Sequence, residues 1–356
     1  IALSGEAFEH LCKTKQIGAY LDLVKIYSRM SPDNKQTLVD MLMDTGRIVG
    51  MCGDGGNDCG ALRAAHVGLA LSNSDASIVA PFTTTDKSLM SVVNLLREGR
   101  CALANSFSSY KFLILYGQIF ALVKVLGQVY GCLISALGYF VIDGAMVIGF
   151  SSAISNSYPN KRLGSTTPSA SLFSPATVIS IIQFHLVTVV TFLITVVWLT
   201  HDEGYVAHPA EYTSAWQFWL LTDAYEQALM FTVFGIRMCS AGIAFSLGGS
   251  FRASILKNWN VLSLVVLFYA FFSWLWLSGE NIVTRWFHMA SENFNRPDTD
   301  RYTWIMYHQD DPGRASSSGG ITLGTRIGIW ILILLSVPIS VFLEHRASKI
   351  HDSERP

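Results

Sequence analysis

The chain has 356 residues, 51% of them hydrophobic and 14% charged, with a mean hydropathy of +0.37. A soluble domain carries about 25% charged residues, so this composition excludes an ordinary soluble protein and points to a membrane protein. The formal net charge of −1, with no basic patch, gives no reason to expect a nucleic-acid partner.

The charges are unevenly placed. Residues 1–100 hold 10 Lys/Arg and 11 Asp/Glu, whereas residues 101–200 hold only Lys111, Lys124, Asp143, Lys161 and Arg162. A soluble part is therefore followed by a membrane part. The six cysteines (Cys12, Cys52, Cys59, Cys101, Cys132 and Cys239) have no metal-ligand spacing, and disulfides are not expected. The start, Ile1–Glu6, lacks the apolar core of a signal peptide and reads as the middle of a domain. The chain is expected to be the carboxyl-terminal part of a longer protein.

In chain order, Gly5–Lys13 reads as a helix and Leu23–Ser28 as a strand. Asp33–Asp44 is a helix, with Leu38, Met41 and Leu42 at helical spacing and Pro32 just before it. Arg47–Cys52, Val67–Leu71 and Ser77–Val79 read as strands, and Leu89–Arg97 as a helix. This alternation predicts an α/β fold, a parallel sheet with helices on both faces.

Within it, Met51–Leu71 reads as strand, tight loop, helix, strand. Asp54 leaves the end of a strand, where active-site groups sit in open α/β sheets. Asn57 and Asp58 fall at a helix start, where side-chain oxygens cap free amides and an anion is favoured. The combination suits a Mg²⁺ and a phosphoryl group held together. Lys35 follows Pro32 at the mouth of a helix, from which its ammonium can reach a phosphate over the strand ends. A simple turn, a capping Asp58 and a solvated Lys35 are the plainer readings of the same residues. His66, between helix and strand, is better read as a packing histidine than as a general base.

From Ser106 on, long apolar runs appear, and a helix needs about 20 residues to cross a bilayer. The predicted spans are Ser106–Tyr130, Leu133–Ser155, Phe173–Leu199, Trp216–Ile236, Val261–Leu277 and Gly324–Leu343. Three parts result: residues 1–103 soluble, 104–343 an α-helical membrane domain of six spans, and 344–356 a tail. Asn160-Lys161-Arg162, Arg252 with Lys257, and Arg346 with Lys349 place those loops on the cytosolic side, together with residues 1–100. The loop His201–Ala215 has Asp202, Glu203 and Glu211 and no Lys or Arg, so it belongs on the far side.

Ionisable groups inside spans are costly and default to functional candidates. Asp143 lies near the middle of the second span, with Tyr139 four residues earlier on the same helical face, placed as an aromatic neighbour for an organic cation. Asp223 and Glu226 share a face of the fourth span. Lys124 and Gln128 lie near the far end of the first. Lys124 either snorkels outwards or is a counter-cation for Asp223 or Glu226, which a cationic cargo displaces.

One motif carries a family resemblance. Gly53-Asp54-Gly55-Gly56-Asn57-Asp58 resembles the GDGxND hinge of P-type ATPases, and Tyr27–Lys35 (YSRMSPDNK) stands upstream at the expected distance. Cys59–Gly68 and Ala80-Pro81-Phe82 resemble the fifth class of these pumps. Cys59 points to its B subclass, which is similar to the lysosomal polyamine pumps. The resemblance covers nearly the whole chain, most strongly residues 24–117.

The resemblance implies the end of a HAD-like phosphorylation domain followed by the last six helices of a ten-span pump. It implies Mg²⁺ held by Asp54 with support from Asp58, Lys35 against a phosphorylated aspartate, Asn57 ordering the loop, and Gly53 and Gly55 lining the cofactor. ATP would be the co-substrate and Asp143 part of the transport site. The cargo would be an organic polycation, or alternatively a divalent metal or a transmembrane peptide segment, in an endolysosomal or vacuolar membrane. The family's DKTGT nucleophile motif does not occur here: the one Asp-Lys pair, Asp86-Lys87, continues Ser88-Leu89. The missing amino-terminal part of the protein is therefore an expected partner, and without it the alternative is a non-catalytic membrane module.

Overall fold

The computed structural model describes residues 1–71, 76–168, 170–205, 222, 224–279, 281–289 and 321–353, with side chains of the last stretch described to residue 348. The chain divides into two compact units, Ile1–Arg97 and Glu98–Pro356.

The first unit is α/β. Strand β1 (Ala2–Ser4) leads into helix α1 (Gly5–Lys13), whose first turn is capped by Ser4 accepting from the Ala7 amide. Strand β2 (Ile26–Ser28) pairs parallel with β1, and Phe8 of α1 packs edge-on against Tyr27 at 6.0 Å. Helix α2 (Pro32–Asp44) starts where its residues dictate: Ser31 accepts from the Asn34 amide, and Pro32 takes the first turn, where no amide hydrogen is needed. Strand β3 (Gly50–Gly53), helix α3 (Cys59–Ala64) and strand β4 (Val67–Ala70) follow. After helix α4 (Ala76–Val79), β5 (Phe82–Thr83) completes a parallel sheet of order β3-β4-β5. Its small core is Leu62, Ala70, Ala76 and Ala80, with Met51 and Cys59 against them.

Three sequence expectations change. Ser77–Val79, expected as a strand, is helical, and the strand is Phe82–Thr83. Three residues, two of them apolar, carry no periodicity to separate the two states, and Pro81 then ends the helix. The strand expected from Leu23 begins only at Ile26, because the amides of Leu21, Leu23 and Val24 fold back onto Ile17 and Tyr20. The parallel strands form two sheets, β1-β2 and β3-β4-β5, rather than one.

Among the described residues six helices are long and apolar enough to cross a membrane, the first being α5 (Met90–Tyr130). The others are α6 (Ala136–Ser155), α7 (Pro175–Thr200), α8 (Tyr225–Ala244), α9 (Trp259–Leu277) and α11 (Leu323–Ser353), with the short α10 (Ile282–Trp286) between the last two. The expected helices Leu89–Arg97 and Ser106–Tyr130 are one continuous α5. Starts again follow caps: Ser135 for α6, Ser174 with Pro175 for α7, Asn258 for α9. Within α6, Phe140–Val147 is wound as a π-helix.

The fourth span is displaced. It was expected at Trp216–Ile236 and lies at Tyr225–Ala244, the residues 206–221 and 223 being outside those described. The expectation stopped at Arg237 because a charge usually ends an apolar run. Instead Arg237 is fully buried inside the helix. For the same reason α11 does not stop before Glu344: that carboxylate is buried and paired with Lys111, and the helix runs on to Ser353.

Every residue of α8 except Ile243 is buried, so α8 is the central helix of this unit. It packs against α7, α9, α11 and the π-helical stretch of α6. Its contact with α9 depends on Gly235, where an added Cβ would stand 2.1 Å from the Phe272 ring. Phe272 in turn meets Phe231 edge-on at 5.0 Å, and Phe231 stacks on Phe287 at 5.5 Å. Overpacking a core of this density costs about 1–3 kcal/mol. Gly235→Val in the intact protein is expected to lower the detergent-solubilised melting temperature by several degrees, with Phe272→Leu restoring part of the loss. A Tm unchanged by Gly235→Val would contradict this packing.

Candidate functional site

In the first unit, chemistry collects at the end of β3. Gly53 closes the strand, Gly56–Asp58 forms one 3₁₀ turn, and α3 follows. The Asp58 amide donates to the Gly55 carbonyl at 3.0 Å, which tightens the loop. Asp58 then folds back beneath the strand end, where a Cβ on Gly53 would lie 2.7 Å from its carboxylate. Glycine is therefore what lets the buried carboxylate reach this position. Gly55 plays the same part for Asn57, whose Oδ1 would be 2.6 Å from an added Cβ.

Lys35, in the first turn of α2, donates from Nζ to Asp58 Oδ1 at 2.8 Å. The lysine side chain keeps 27% of its exposure and the aspartate 9%, so the ammonium is anchored and still faces solvent. Asp54 is exposed and makes no hydrogen bond or ion pair among the described residues; Asn57 is exposed beside it. The expected capping differs: neither Asn57 nor Asp58 makes a side-chain cap bond, because Asp58 turns to Lys35 instead. His66 accepts from the Val49 amide at 3.2 Å through Nδ1, the bond of a turn histidine.

The loop thus presents one outward carboxylate, Asp54, and one anchored cation, Lys35. No cluster of three or more metal-ligating His, Cys, Asp or Glu side chains occurs among the described residues. Mg²⁺ keeps several waters and takes only one or two protein carboxylates alongside phosphate oxygens, so a single Asp54 carboxylate fits it. Asp58, with an oxygen held by Lys35, is less available as a direct ligand.

In the second unit, Asp143 sits inside the π-helical stretch, a winding that frequently marks functional sites. The Tyr116 hydroxyl of α5 donates to its Oδ1 at 2.8 Å. Tyr116, Phe120 and Lys124 follow at four-residue spacing on α5, opposite Tyr139 and Asp143 on α6. Phe120 and Tyr139 lie 5.6 Å apart, and Tyr116 stacks on Phe234 of α8 at 6.1 Å. The structure therefore brings Asp143, Tyr139 and Lys124 into one stripe.

Of the two carboxylates expected to pair with Lys124, only Glu226 lies among the described residues, and it is engaged elsewhere. Glu226 is buried and accepts from the Tyr205 hydroxyl, and Asp223 lies outside the described residues. Lys124 makes no ion pair with any described residue; its ammonium lies over the rings of Tyr139 (4.5 Å) and Phe120 (5.3 Å). Gln128 is exposed one turn further on. Tyr116, Phe120 and Arg237 were not singled out from sequence. For the first two, the four-residue spacing leading to Lys124 was the available signal.

Arg237 donates to Thr188 Oγ1 (3.1 Å), Ser336 Oγ (3.0 Å), the Ser336 carbonyl (3.3 Å) and Ser340 Oγ (2.9 Å), and lies 4.3 Å from the Phe184 ring. It makes no ion pair with a carboxylate among the described residues.

Comparison with known proteins decides the family. No family model matches the chain. It is 32% identical over 274 residues to Polyamine-transporting ATPase 13A3 of Homo sapiens, covering 71% of this chain and 22% of that protein. It is 37% identical over 156 residues to Probable cation-transporting ATPase 13A5 of Homo sapiens, 44% of this chain and 13% of that one. To Vacuolar cation-transporting ATPase YPK9 of Saccharomyces cerevisiae it is 35% identical over 181 residues, 49% and 12% of the two chains. The chain belongs to the type V P-type ATPases. Over its best-matching length it spans 22% of the curated relative, so roughly a fifth of a type V ATPase is in view.

In this type V chain the β3 end also carries a sensitive reporter. Burial pushes the Cys52 thiol up from its ordinary value, and the nearby carboxylates of Asp54 and Asp58 push it further. A raised value keeps the thiol protonated, hence unreactive, as pH climbs through the usual cysteine range. Alkylation of Cys52 by iodoacetamide is expected to show a pH midpoint above that of a free cysteine, and Asp54→Asn to move the midpoint down. A midpoint that ignores Asp54→Asn would separate Asp54 from this strand end.

Proposed function

We propose that this chain is the carboxyl-terminal part of an ATP-driven pump that works through an aspartyl-phosphate and moves an organic polycation across an endomembrane. The observation that carries the first half is the β3 end: a half-buried Lys35 anchored by a buried Asp58 set under a glycine, beside an outward Asp54. Phosphoryl transfer needs positioned charge around the transferred group rather than covalent chemistry from the protein. Lys35, held by Asp58, offers a fixed ammonium to phosphoryl oxygens; Asp54 offers a hard oxygen for Mg²⁺; Asn57 offers an amide at the loop. Bound Mg²⁺ would neutralise charge on the phosphoryl oxygens. The phosphorylated aspartate and the ATP site would come from the rest of the protein.

The second half rests on the stripe between α5 and α6. Asp143 offers a carboxylate inside a membrane helix, and Phe120 and Tyr139 offer ring faces to an ammonium group. Relatives named as polyamine-transporting ATPases support an organic polycation as cargo. A divalent metal cation, which the names of other relatives leave open, is disfavoured by the single carboxylate and the aromatic surroundings, because hard metal ions take several oxygen ligands.

In the intact protein, Asp54→Asn is expected to abolish vanadate-sensitive ATPase activity at normal expression. Asp143→Asn is expected to leave ATP hydrolysis measurable while raising the spermine concentration for half-maximal stimulation by about tenfold. Full activity of Asp54→Asn would remove it from the phosphoryl site, and an unmoved spermine dependence would remove Asp143 from the path.

A further inference from the structure

Lys124 stands in the position of a ligand. Its ammonium is 4.5 Å from the centre of the Tyr139 ring and 5.3 Å from that of Phe120, and the two rings are themselves 5.6 Å apart and tilted by 48°. Two ring faces meeting at an angle make a subsite for a primary ammonium group, and the electrostatic attraction of ring quadrupoles for a cation is what holds it. The lysine makes no ion pair with any described residue, so the rings are its recorded partners. The carboxylate one turn along α6, Asp143, is engaged by the Tyr116 hydroxyl at 2.8 Å and not by Lys124.

Spacing adds to this. On α5, Tyr116, Phe120 and Lys124 succeed each other by four residues, as Tyr139 and Asp143 do on α6. Along α5, Phe120 and Tyr116, the residue that holds Asp143, are therefore one turn or about 6 Å apart on the helix axis. A chain bearing two amines separated by a few methylenes spans that interval: one ammonium between the rings, the next at Asp143. A lysine side chain ends in the same chemical group as such a molecule, a primary ammonium on an alkyl stem.

We infer that Phe120 and Tyr139 form an ammonium subsite of the transport path, and that Lys124 fills it as a tethered competitor until a cargo amine displaces it. The inference rests on the reading above that this stripe carries an organic cation. It assigns Lys124 a regulatory part: the lysine sets the cargo concentration at which the path is occupied. It also explains why a lysine is tolerated near the end of a membrane helix with no carboxylate paired to it among the described residues. The rings hold it at rest, and when displaced it has a short way to the helix end and water. A cargo with only one amine gains the ring site but not the Asp143 contact, so displacement favours molecules with two or more amines.

The test measures binding of radiolabelled spermine to the purified intact protein, with ATPase stimulation read in parallel. Lys124→Met removes the competitor and is expected to tighten spermine binding by about tenfold, the scale of two ring contacts. Lys124→Arg keeps a cation over the rings and is expected to bind like the parent. Tyr139→Leu in the Lys124→Met background is expected to erase the gain. Unchanged or weaker binding in Lys124→Met, with Asp143→Asn still weakening it, would overturn the competitor role and leave the transport reading standing. Spermine binding that none of Asp143→Asn, Tyr139→Leu and Lys124→Met alters would overturn both.

Discussion

The membrane unit is built around one buried charge. Arg237 sits twelve residues into α8, about 18 Å from the helix start, and donates to hydroxyls and a carbonyl of α7 and α11. A charge at such depth costs on the order of 2.5–3.5 kcal/mol on insertion scales unless the bundle solvates it. The solvation here comes from a seam. Ser180, Phe184 and Thr188 follow at four-residue spacing on α7, and Ser336, Ser340 and Glu344 do so on α11. At one end of this seam Lys111 and Ser180 close on Glu344, with Lys111 also 4.7 Å from the Phe245 ring. Toward the other, Arg237 is caged by Thr188, Ser336, Ser340 and the face of Phe184. The seam is polar inside and apolar outside, as helices in lipid must be when a charge is kept among them.

That constraint bears on where a cation can travel. Arg237 carries a permanent positive charge, and a second cation about 8 Å away in a surrounding of effective dielectric 20 would be repelled by roughly 2 kcal/mol. The α7–α8–α11 seam is therefore hostile to cations. A carboxylate and ring faces suited to a cation, those of Asp143, Phe120 and Tyr139, lie instead on α5 and α6. Central α8 meets both environments, touching α7 and α11 along the seam and the π-helical stretch of α6 that contains Asp143. The soluble unit shows the same economy on a smaller scale: removing a side chain at Gly53 makes room for Asp58, and Asp58 fixes Lys35.

The helices and parallel strands were legible where local chemistry speaks. Pro32 announced α2, and the apolar runs announced the membrane helices, α7 among them. The β3 loop was legible because its glycines and carboxylates sit in one short string. What the sequence withheld was long-range pairing. Nothing near Arg237 in sequence shows that Thr188, Ser336 and Ser340 await it, so the charge read as a boundary and the fourth span was placed some eight residues early. For Lys124 a carboxylate of the fourth span was expected, whereas its ammonium lies over Phe120, one turn back on its own helix, and Tyr139 on the next. The Lys35–Asp58 contact joins residues 23 apart and was not anticipated: the resemblance set Lys35 against a phosphorylated aspartate and Asp58 beside Mg²⁺. For Arg237 a charged side chain was judged by its neighbours in sequence, while its energy is set by neighbours in space.

On the proposed reading these residues serve a phosphoryl-driven pump that moves an organic polycation from lumen to cytosol. The most direct measurement is ATP-dependent release of radiolabelled spermine from preloaded sealed vesicles that carry the intact protein with its soluble unit facing the medium, with and without vanadate. Saturable, vanadate-sensitive release that co-loaded spermidine competes for, and co-loaded Mn²⁺ or Zn²⁺ does not, is expected. Vesicles that hydrolyse ATP under these conditions yet release no spermine, or whose release ignores vanadate, would contradict it.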